Sequence, residues 1–366
     1  MKICHLTSVH PKHDVRIFHK YCKSVVANGD ECHFVVGNAV DGIENGVHLH
    51  GINLKLSHRL IRVTFVAGLV ALKAYRLKPD IYHFHDPELM PFALVLSMLG
   101  KKVIFDAHED VPKQIMTKKW IPKIFRSMIS KVYRIFEEYA CSKYSLIVGA
   151  TPPITKRFSD LGYSAITINN YPDINFIDGA KSAGRQKENI VCYVGLISYE
   201  RGIREIVEML DGMDIKLLLA GRFSSDAVRE CVMKSKGWEN VVELGFVERD
   251  KVADIMKRSL AGLVTLYPIS NYIDSHPTKM FEYMVASTPV IASNFPLWRE
   301  IVEGNKCGIC VDPKDTKDIL KAIRYLAENP DNAKEMGRNG RNAIIKKFNW
   351  GVEFEKAIIA YRELVV

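Results

Sequence analysis

The chain has no run of about 18 uncharged apolar residues, so none of it is suited to cross a bilayer as a helix. The nearest approach, VTFVAGLVALKAY at 63–75, is too short, contains Lys73 and is flanked by Arg59, Arg62 and Arg76. The N-terminus offers no signal-peptide cleavage site: MKICHLTS runs directly into a strand-like pattern, and a cytosolic protein is the expectation. Cysteine is sparse and scattered, and of the eight residues only Cys307 and Cys310 form a C-x-x-C. A zinc site would need a second pair or nearby histidines, and neither follows, so plain packing is expected of all eight. Repeats of about 20–50 residues and low-complexity tracts are also missing, so a solenoid is not the architecture.

What is present is apolar substance for two cores: 48% of the 366 residues are hydrophobic, too many for a disordered chain. Strand-like runs at 2–8, 32–37, 81–85, 102–106 and 145–150 alternate with amphipathic stretches of helical length, such as Arg16 to Ala27. After a break the pattern resumes at 190–195, 216–221, 241–245, 261–266 and 289–293. Strands apolar on both faces and separated by helices predict a parallel sheet covered on both sides, here twice over. We therefore expect a first domain over 1–172, a linker over 173–189, a second domain over 190–350, and a helix over 351–366 that packs back toward the first. Charge divides along the same line. Residues 1–172 hold 23 Lys and Arg against 14 Asp and Glu, whereas 173–366 hold 28 of each. A basic half beside a neutral one predicts that the first half meets something anionic.

The segment most informative about chemistry is SNYIDSHPTKMFEYMVASTPVIAS at 270–293. Pro277 suits the first position of a helix capped by Ser275 or His276 and running to about Ala286. Free N–H groups at that helix start, just after Asp274, would hold an anion. Asp274 before it and Glu282 two turns in could hold hydroxyls on either side of a diphosphate, an arrangement suited to a sugar nucleotide. Two acids separated by seven residues and followed by PVIA resemble the signature of the family-4 retaining glycosyltransferases. The resemblance extends over nearly the whole chain, including Gly245-Phe246-Val247 and Trp350.

The resemblance implies the GT-B fold: two facing Rossmann-like, doubly wound parallel-sheet domains with a cleft between them. It implies a nucleotide diphosphate sugar donor, UDP by default, transfer with retention, and a lipid-linked or glycan acceptor. It assigns the ribose hydroxyls to Glu282, those of the transferred sugar to Asp274, and the backbone around Ser275, His276 and Thr278 to the donor. Asp274 is one methylene shorter than the Glu usual in the family. YVGLISYERG (193–202) matches a segment in which relatives hold the diphosphate by an Arg and a Lys. Here Leu196 replaces the first, Arg201 stands at the second, and Lys279 can restore the missing charge. Gly195, Gly221 and Phe246 complete the donor set. His108, just beyond a strand end in FDAHEDVP, corresponds to a histidine that relatives often place on the donor-sugar and acceptor side; a structural histidine is the alternative. Catalysis is thus assigned to His108, Arg201, Asp274 and Glu282.

His83 and His85 share a strand face by period-two geometry, with only Asp86 as a nearby carboxylate, so cleft lining or packing is expected of them. Asp14 and Arg16 follow the first strand and could reach the acceptor, or Asp14 could simply cap a helix. With no D-x-D motif, no metal and no other cofactor is expected. Between Asp110 and Glu137 there is no acid. There Ile121, Ile124, Phe125, Met128, Ile129, Val132, Tyr133 and Phe136 recur at helical spacing among Lys113, Lys118, Lys119, Lys123, Arg126, Lys131 and Arg134. That predicts a basic amphipathic helix, either packed on the core or docked on an anionic membrane, and hence a peripheral protein of the inner membrane face. Nucleic-acid binding is not expected, since no aromatic platform or reader motif accompanies the charge. A non-catalytic nucleotide-sugar-binding partner and a GT-B epimerase remain as alternatives to a transferase.

Overall fold

In a computed structural model, residues 1–37, 39–52, 62–118, 120–174 and 188–365 are described. The chain divides into two compact units, Met1–Asn170 with Gly351–Val366, and Tyr171–Trp350. The linker read at 173–189 lies mostly outside the described residues.

The first unit is built on β1 (Lys2–Thr7), β2 (Glu31–Gly37), β3 (Gly42–Glu44), β4 (Val47–Ile52), β5 (Ile81–Phe84), β6 (Lys102–Ala107), β7 (Leu146–Gly149) and β8 (Ala165–Thr167). Their order across the sheet is β3-β4-β2-β1-β5-β6-β7-β8, parallel throughout except for the β3–β4 pair. The second unit carries β9 (Glu188–Val194), β10 (Lys216–Ala220), β11 (Val241–Gly245), β12 (Ser259–Val264), β13 (Val290–Ser293) and β14 (Gly308–Val311). These are ordered β11-β10-β9-β12-β13-β14, with every pair parallel. Two parallel sheets alternating with helices are what the apolar runs predict, because strands covered on both faces need apolar residues at every position. Strands β3, β4, β8 and β14 were not read from the sequence: VHLHG and GICV are short, and histidine, glycine and cysteine break their apolar signal.

In each sheet the strand order reverses once, between β1 and β5 in the first unit and between β9 and β12 in the second. Loops leaving the carboxyl ends of the two central strands part there and leave a crevice, the place where open α/β sheets bind ligands. The loops at these two points carry most of the residues singled out above. The C-terminal helix, Trp350–Val365, belongs to the first unit from Gly351 onward; Glu353 accepts the N–H of Asn169 at 2.7 Å, and Tyr361 meets His83 at 2.6 Å.

The basic stretch at 112–140 is two helices, Val111–Thr117 and Lys123–Cys141, rather than one. Pro122 caps the second, since its ring blocks continuation of the first. Its inward contacts come from Tyr133, Phe136, Ala140 and Cys141, whereas Ile124, Phe125, Met128, Val132, Ile135 and Tyr139 are exposed. Lys119 lies outside the described residues. No described helix is long and apolar enough to cross a membrane.

In the second unit the Thr278–Val285 helix is held against the sheet by Tyr283, whose hydroxyl receives the N–H of Val194 at 3.1 Å. That ring lies flat against β12 only because residue 262 has no side chain: a Cβ on Gly262 would sit 2.3 Å from the Tyr283 ring. Overpacking of a buried site typically costs about 1–3 kcal/mol. Gly262→Ala is accordingly expected to lower stability by about that amount in urea melts and to weaken ligand binding by the neighbouring helix. A variant as stable as the parent would show that the helix shifts without cost.

Candidate functional site

In the first unit, strand register brings together residues far apart in sequence. His5 pairs with His83 across β1 and β5, and His83 with Ile104 across β5 and β6. Paired residues of parallel strands share a face, and so do residues two apart, so His5, His83, His85 and Asp106 all point to one side. Asp106, fully buried, is the hub. Arg16 Nε donates to its Oδ2 at 2.9 Å and Arg16 Nη2 to its Oδ1 at 2.8 Å. His85 Nδ1 stands 3.1 Å and His108 Nε2 3.4 Å from Oδ2. Burial alone would push the Asp106 carboxyl up, but Arg16 and then His108 hold it well below the usual range. Burial, reinforced by the neighbouring imidazoles, keeps His5 and His83 well below the ordinary histidine range. His85 is also lowered by burial, against the pull of Asp106.

This corrects two expectations. Arg16 does not reach outward to an acceptor; it is buried, paired with Asp106, and also donates to the carbonyl of Ile168 at 2.9 Å. Asp14 caps the helical turn beginning at Val15, its Oδ1 accepting the N–H groups of Arg16 and Ile17. The partner of the paired histidines is Asp106, not Asp86. Asp86 instead folds the loop after β1, accepting from Thr7 Oγ1 at 2.8 Å and from the N–H groups of Ser8 and Val9. That loop brings His10 within 5.4 Å of the His108 ring. Hydrogen bonding to Asp14 raises the His10 pKa despite its partial burial. His108 itself is partly open to solvent, with 23% of its side chain accessible.

Ligand atoms of His85, Asp106 and His108 lie close enough for one cation, as do those of His5, His83 and His85. In the first set the carboxylate charge is already matched by Arg16 in a two-point fork, and an added cation would stand beside that guanidinium. The set reads as a hydrogen-bonded hub.

In the second unit the donor candidates gather at the carboxyl ends of β9, β10, β11 and β12. Gly195 and Gly221 both take positive φ, and a Cβ on Gly221 would sit 1.8 Å from the carbonyl oxygen of Gly195. Only glycine permits these two backbones to pass so closely. Phe246, next after β11, is 73% exposed, and the Arg222 guanidinium lies 5.2 Å from its ring centre. Lys279 is buried, its Nζ 3.5 Å above the centre of the Tyr193 ring and without a hydrogen-bond partner among the described residues. Burial, and after it the charge of Arg201, lowers the Lys279 pKa well below the ordinary amine range, while Glu282 opposes the shift. Arg201 Nε is also buried and unpartnered. Two basic side chains thus meet near the carboxyl ends of β9 and β12 with polar atoms unused.

Glu282 is half-buried one turn beyond Lys279 on the same helix face, and Asp274 is exposed at the end of a short helix, Ser270–Ile273. Pro277 stands at the cap position and Thr278 is the first helical residue, one place later than read. The Ser275 N–H is already donated to Tyr272 O, so it is not among the free amides of the helix start. Trp298 Nε1 donates to Ser275 O at 2.7 Å and anchors the turn. His276 stacks on Tyr171, and burial lowers its pKa to about 4. Tyr193, Tyr283, Trp298 and Arg222 were not singled out in the sequence. Aromatic residues inside strands and helices read as core, and nothing local says which ring lies under a lysine.

Two family models match: Glycosyltransferase Family 4 over residues 15–170 and Glycosyl transferases group 1 over 177–343. An uncharacterized glycosyltransferase of Methanocaldococcus jannaschii is 22% identical, over 99% of this chain and 98% of its own. A D-rhamnosyltransferase of Pseudomonas aeruginosa is 22% identical over 71% of this chain and 67% of its own. Among solved structures, sucrose-phosphate synthase from Thermosynechococcus elongatus matches with a TM-score of 0.78 at 17% identity, covering 99% and 98% of the two chains. HepE of Anabaena in complex with UDP-glucose gives 0.72 at 16% identity, covering 99% and 100%. Two family models that together cover most of the chain, and full-length likeness to solved GT-B glycosyltransferase structures, lead to one assignment: the chain belongs to the family-4, group-1 glycosyltransferases and has the GT-B fold.

Proposed function

We propose that this protein transfers a sugar from a nucleotide diphosphate sugar, by default a UDP-sugar, to a lipid-linked or glycan acceptor, with retention of configuration. The observation that carries the donor assignment is the buried Lys279 amine beside the half-buried Arg201 guanidinium, with Lys279 Nζ and Arg201 Nε left without hydrogen-bond partners among the described residues. Burying a charge without a partner is costly, and a site that does so is prepared for an anion that supplies one. The two glycines allow a phosphate to approach the backbone, Glu282 takes the ribose hydroxyls, and Asp274 those of the sugar. HepE, with the same fold, has been solved with UDP-glucose, which supports a uridine donor. The first unit serves the acceptor, with His108 and the His10 loop at its β1/β5 crevice.

Burial disfavours the Lys279 ammonium in the free protein, and a diphosphate entering beside it favours that charged form. Binding of UDP should therefore take up a proton at Lys279, and affinity should fall as pH rises through the pKa of the bound state, by up to about one log unit per pH unit. Titrations across pH, in buffers of different ionisation heat, measure both. Lys279→Met should weaken UDP binding roughly ten- to a hundredfold, as for a lost charged hydrogen bond, and abolish that pH slope. Unaltered affinity and slope would take Lys279 out of the site. Binding without any turnover on a panel of sugar nucleotides would favour a non-catalytic partner. Activity should survive EDTA, because Arg201, Lys279 and the helix start supply the charge that the leaving diphosphate needs. Loss of activity rescued by magnesium or manganese would overturn this.

Membrane attachment is carried by a separate observation. Ile124 is 80% exposed and Trp120 66%, and they continue into an exposed apolar stripe bordered by Lys118, Lys123 and Lys131. An apolar face beside positive charge matches an anionic lipid surface on both counts. Arg126 is otherwise engaged, its Nε donating to Ile121 O at 2.8 Å. Replacing Lys118, Lys123 and Lys131 with Gln should weaken co-sedimentation with acidic-phospholipid vesicles on the order of a hundredfold, at about 1 kcal/mol per charge. Equal binding by parent and variant would defeat the membrane reading.

A further inference from the structure

The hydrogen-bond network around Asp106 sets the tautomers of His85, His108 and His5. An ionised carboxylate only accepts, so both ring nitrogens turned toward Oδ2, His85 Nδ1 and His108 Nε2, carry protons. The 3.4 Å between those two nitrogens is then a contact of two donors converging on one oxygen, not a bond between them. His85 Nε2 is left as an acceptor, and His5 Nδ1, 3.0 Å away, donates to it. His83 Nδ1 and Tyr361 Oη share a hydrogen bond at 2.6 Å, and His83 Nε2 lies 3.8 Å from the same carboxylate oxygen. Asp106 is in turn immobilised by the two-point fork from Arg16, whose guanidinium is fixed by the Ile168 carbonyl. Every group in this set is buried except His108, which is partly open to solvent.

The geometry points to Asp106 as a positioning residue: it fixes His108 in the Nε2–H form and turns Nδ1, as a hydrogen-bond acceptor, toward the hydroxyl of the sugar acceptor. This rests on the reading of His108 as an acceptor-side residue, and it adds the tautomer, the nitrogen presented and the residue that decides both. The arrangement also explains the depth of the network. With Arg16 balancing Asp106, burial keeps His5, His83 and His85 below the ordinary histidine range, and a neutral ring accepts through a lone pair where a protonated one cannot. Acting through His108, Asp106 needs no contact with substrate.

Nitrogen-15 NMR of the intact protein labelled at histidine reports the tautomer directly, with the His108 signal assigned by its loss in His108→Ala. The expected pattern is Nε2–H with a bare Nδ1; the Nδ1–H form would overturn the proposal whatever the kinetics show. A double-mutant cycle tests the role. Asp106→Asn should lower kcat by on the order of ten- to a hundredfold with little change in donor KM. In a His108→Ala background it should cost almost nothing further. His108→Asn, whose Oδ1 takes the place of Nδ1, should recover part of the activity lost in His108→Ala. Equal losses from Asp106→Asn in both backgrounds would make Asp106 merely structural and sink the proposal. Should Asp106→Asn fail to fold, the tautomer measurement on the unaltered protein still decides. Full activity of His108→Ala would overturn the acceptor-side reading itself, an outcome distinct from the wrong tautomer.

Discussion

The Arg16–Asp106 ion pair is the constraint around which the first unit is arranged. A carboxylate with no solvent access stays charged only if its charge is matched and its lone pairs are filled, and Arg16, His85 and His108 together do this. Removing one partner of such a pair typically costs about 3–5 kcal/mol, because the other is left buried and uncompensated. The consequences reach across the unit. Arg16 comes from the first helix, Asp106 from β6, Ile168 from the segment after β8, and Tyr361, through His83, from the C-terminal helix. One charge pair thus ties the two ends of the chain to the middle of the sheet.

The second unit follows the opposite electrostatic plan. There, the buried Lys279 Nζ lies above Tyr193 without a hydrogen-bond partner among the described residues, and Arg201 Nε nearby is likewise unpartnered. In the first unit the buried Asp106 carboxylate is matched by Arg16, whereas in the second Lys279 Nζ has no hydrogen-bond partner among the described residues. That difference accords with the roles proposed above, a diphosphate at the second unit and acceptor hydroxyls at the first. The backbone cooperates: Gly195 and Gly221 open the β9 and β10 ends, and Gly262 lets Tyr283 press the Lys279-bearing helix onto the sheet.

Both crevices form where strand order reverses, and both collect residues from segments that are remote in sequence. The exposed apolar stripe on the Lys123–Cys141 helix stands apart from them. Its inward face is narrow, made by Tyr133, Phe136, Ala140 and Cys141. The other apolar residues of this amphipathic helix are left at the surface, beside lysines.

Much of this was legible from sequence because parallel sheets write themselves as continuous apolar runs. Ten strands were read near their true limits, and the two-sheet α/β architecture and the family followed from them and from the Asp274/Glu282 spacing. Local chemistry also offered Asp14 as a cap, one of two readings, and its bonds from the Arg16 and Ile17 N–H groups bear that one out. Tertiary structure alone decided the rest, for reasons of distance. Asp106 joins His85 through the β5–β6 register, and Arg16 reaches Asp106 across 90 positions. Whether a histidine, an arginine or a tyrosine faces solvent, a neighbour or a ligand depends on which strand lies next to it, and strand order is not written in any local pattern. The sequence by itself determined the elements, their period and the family. Register and strand order decided which charges are matched and which are left waiting.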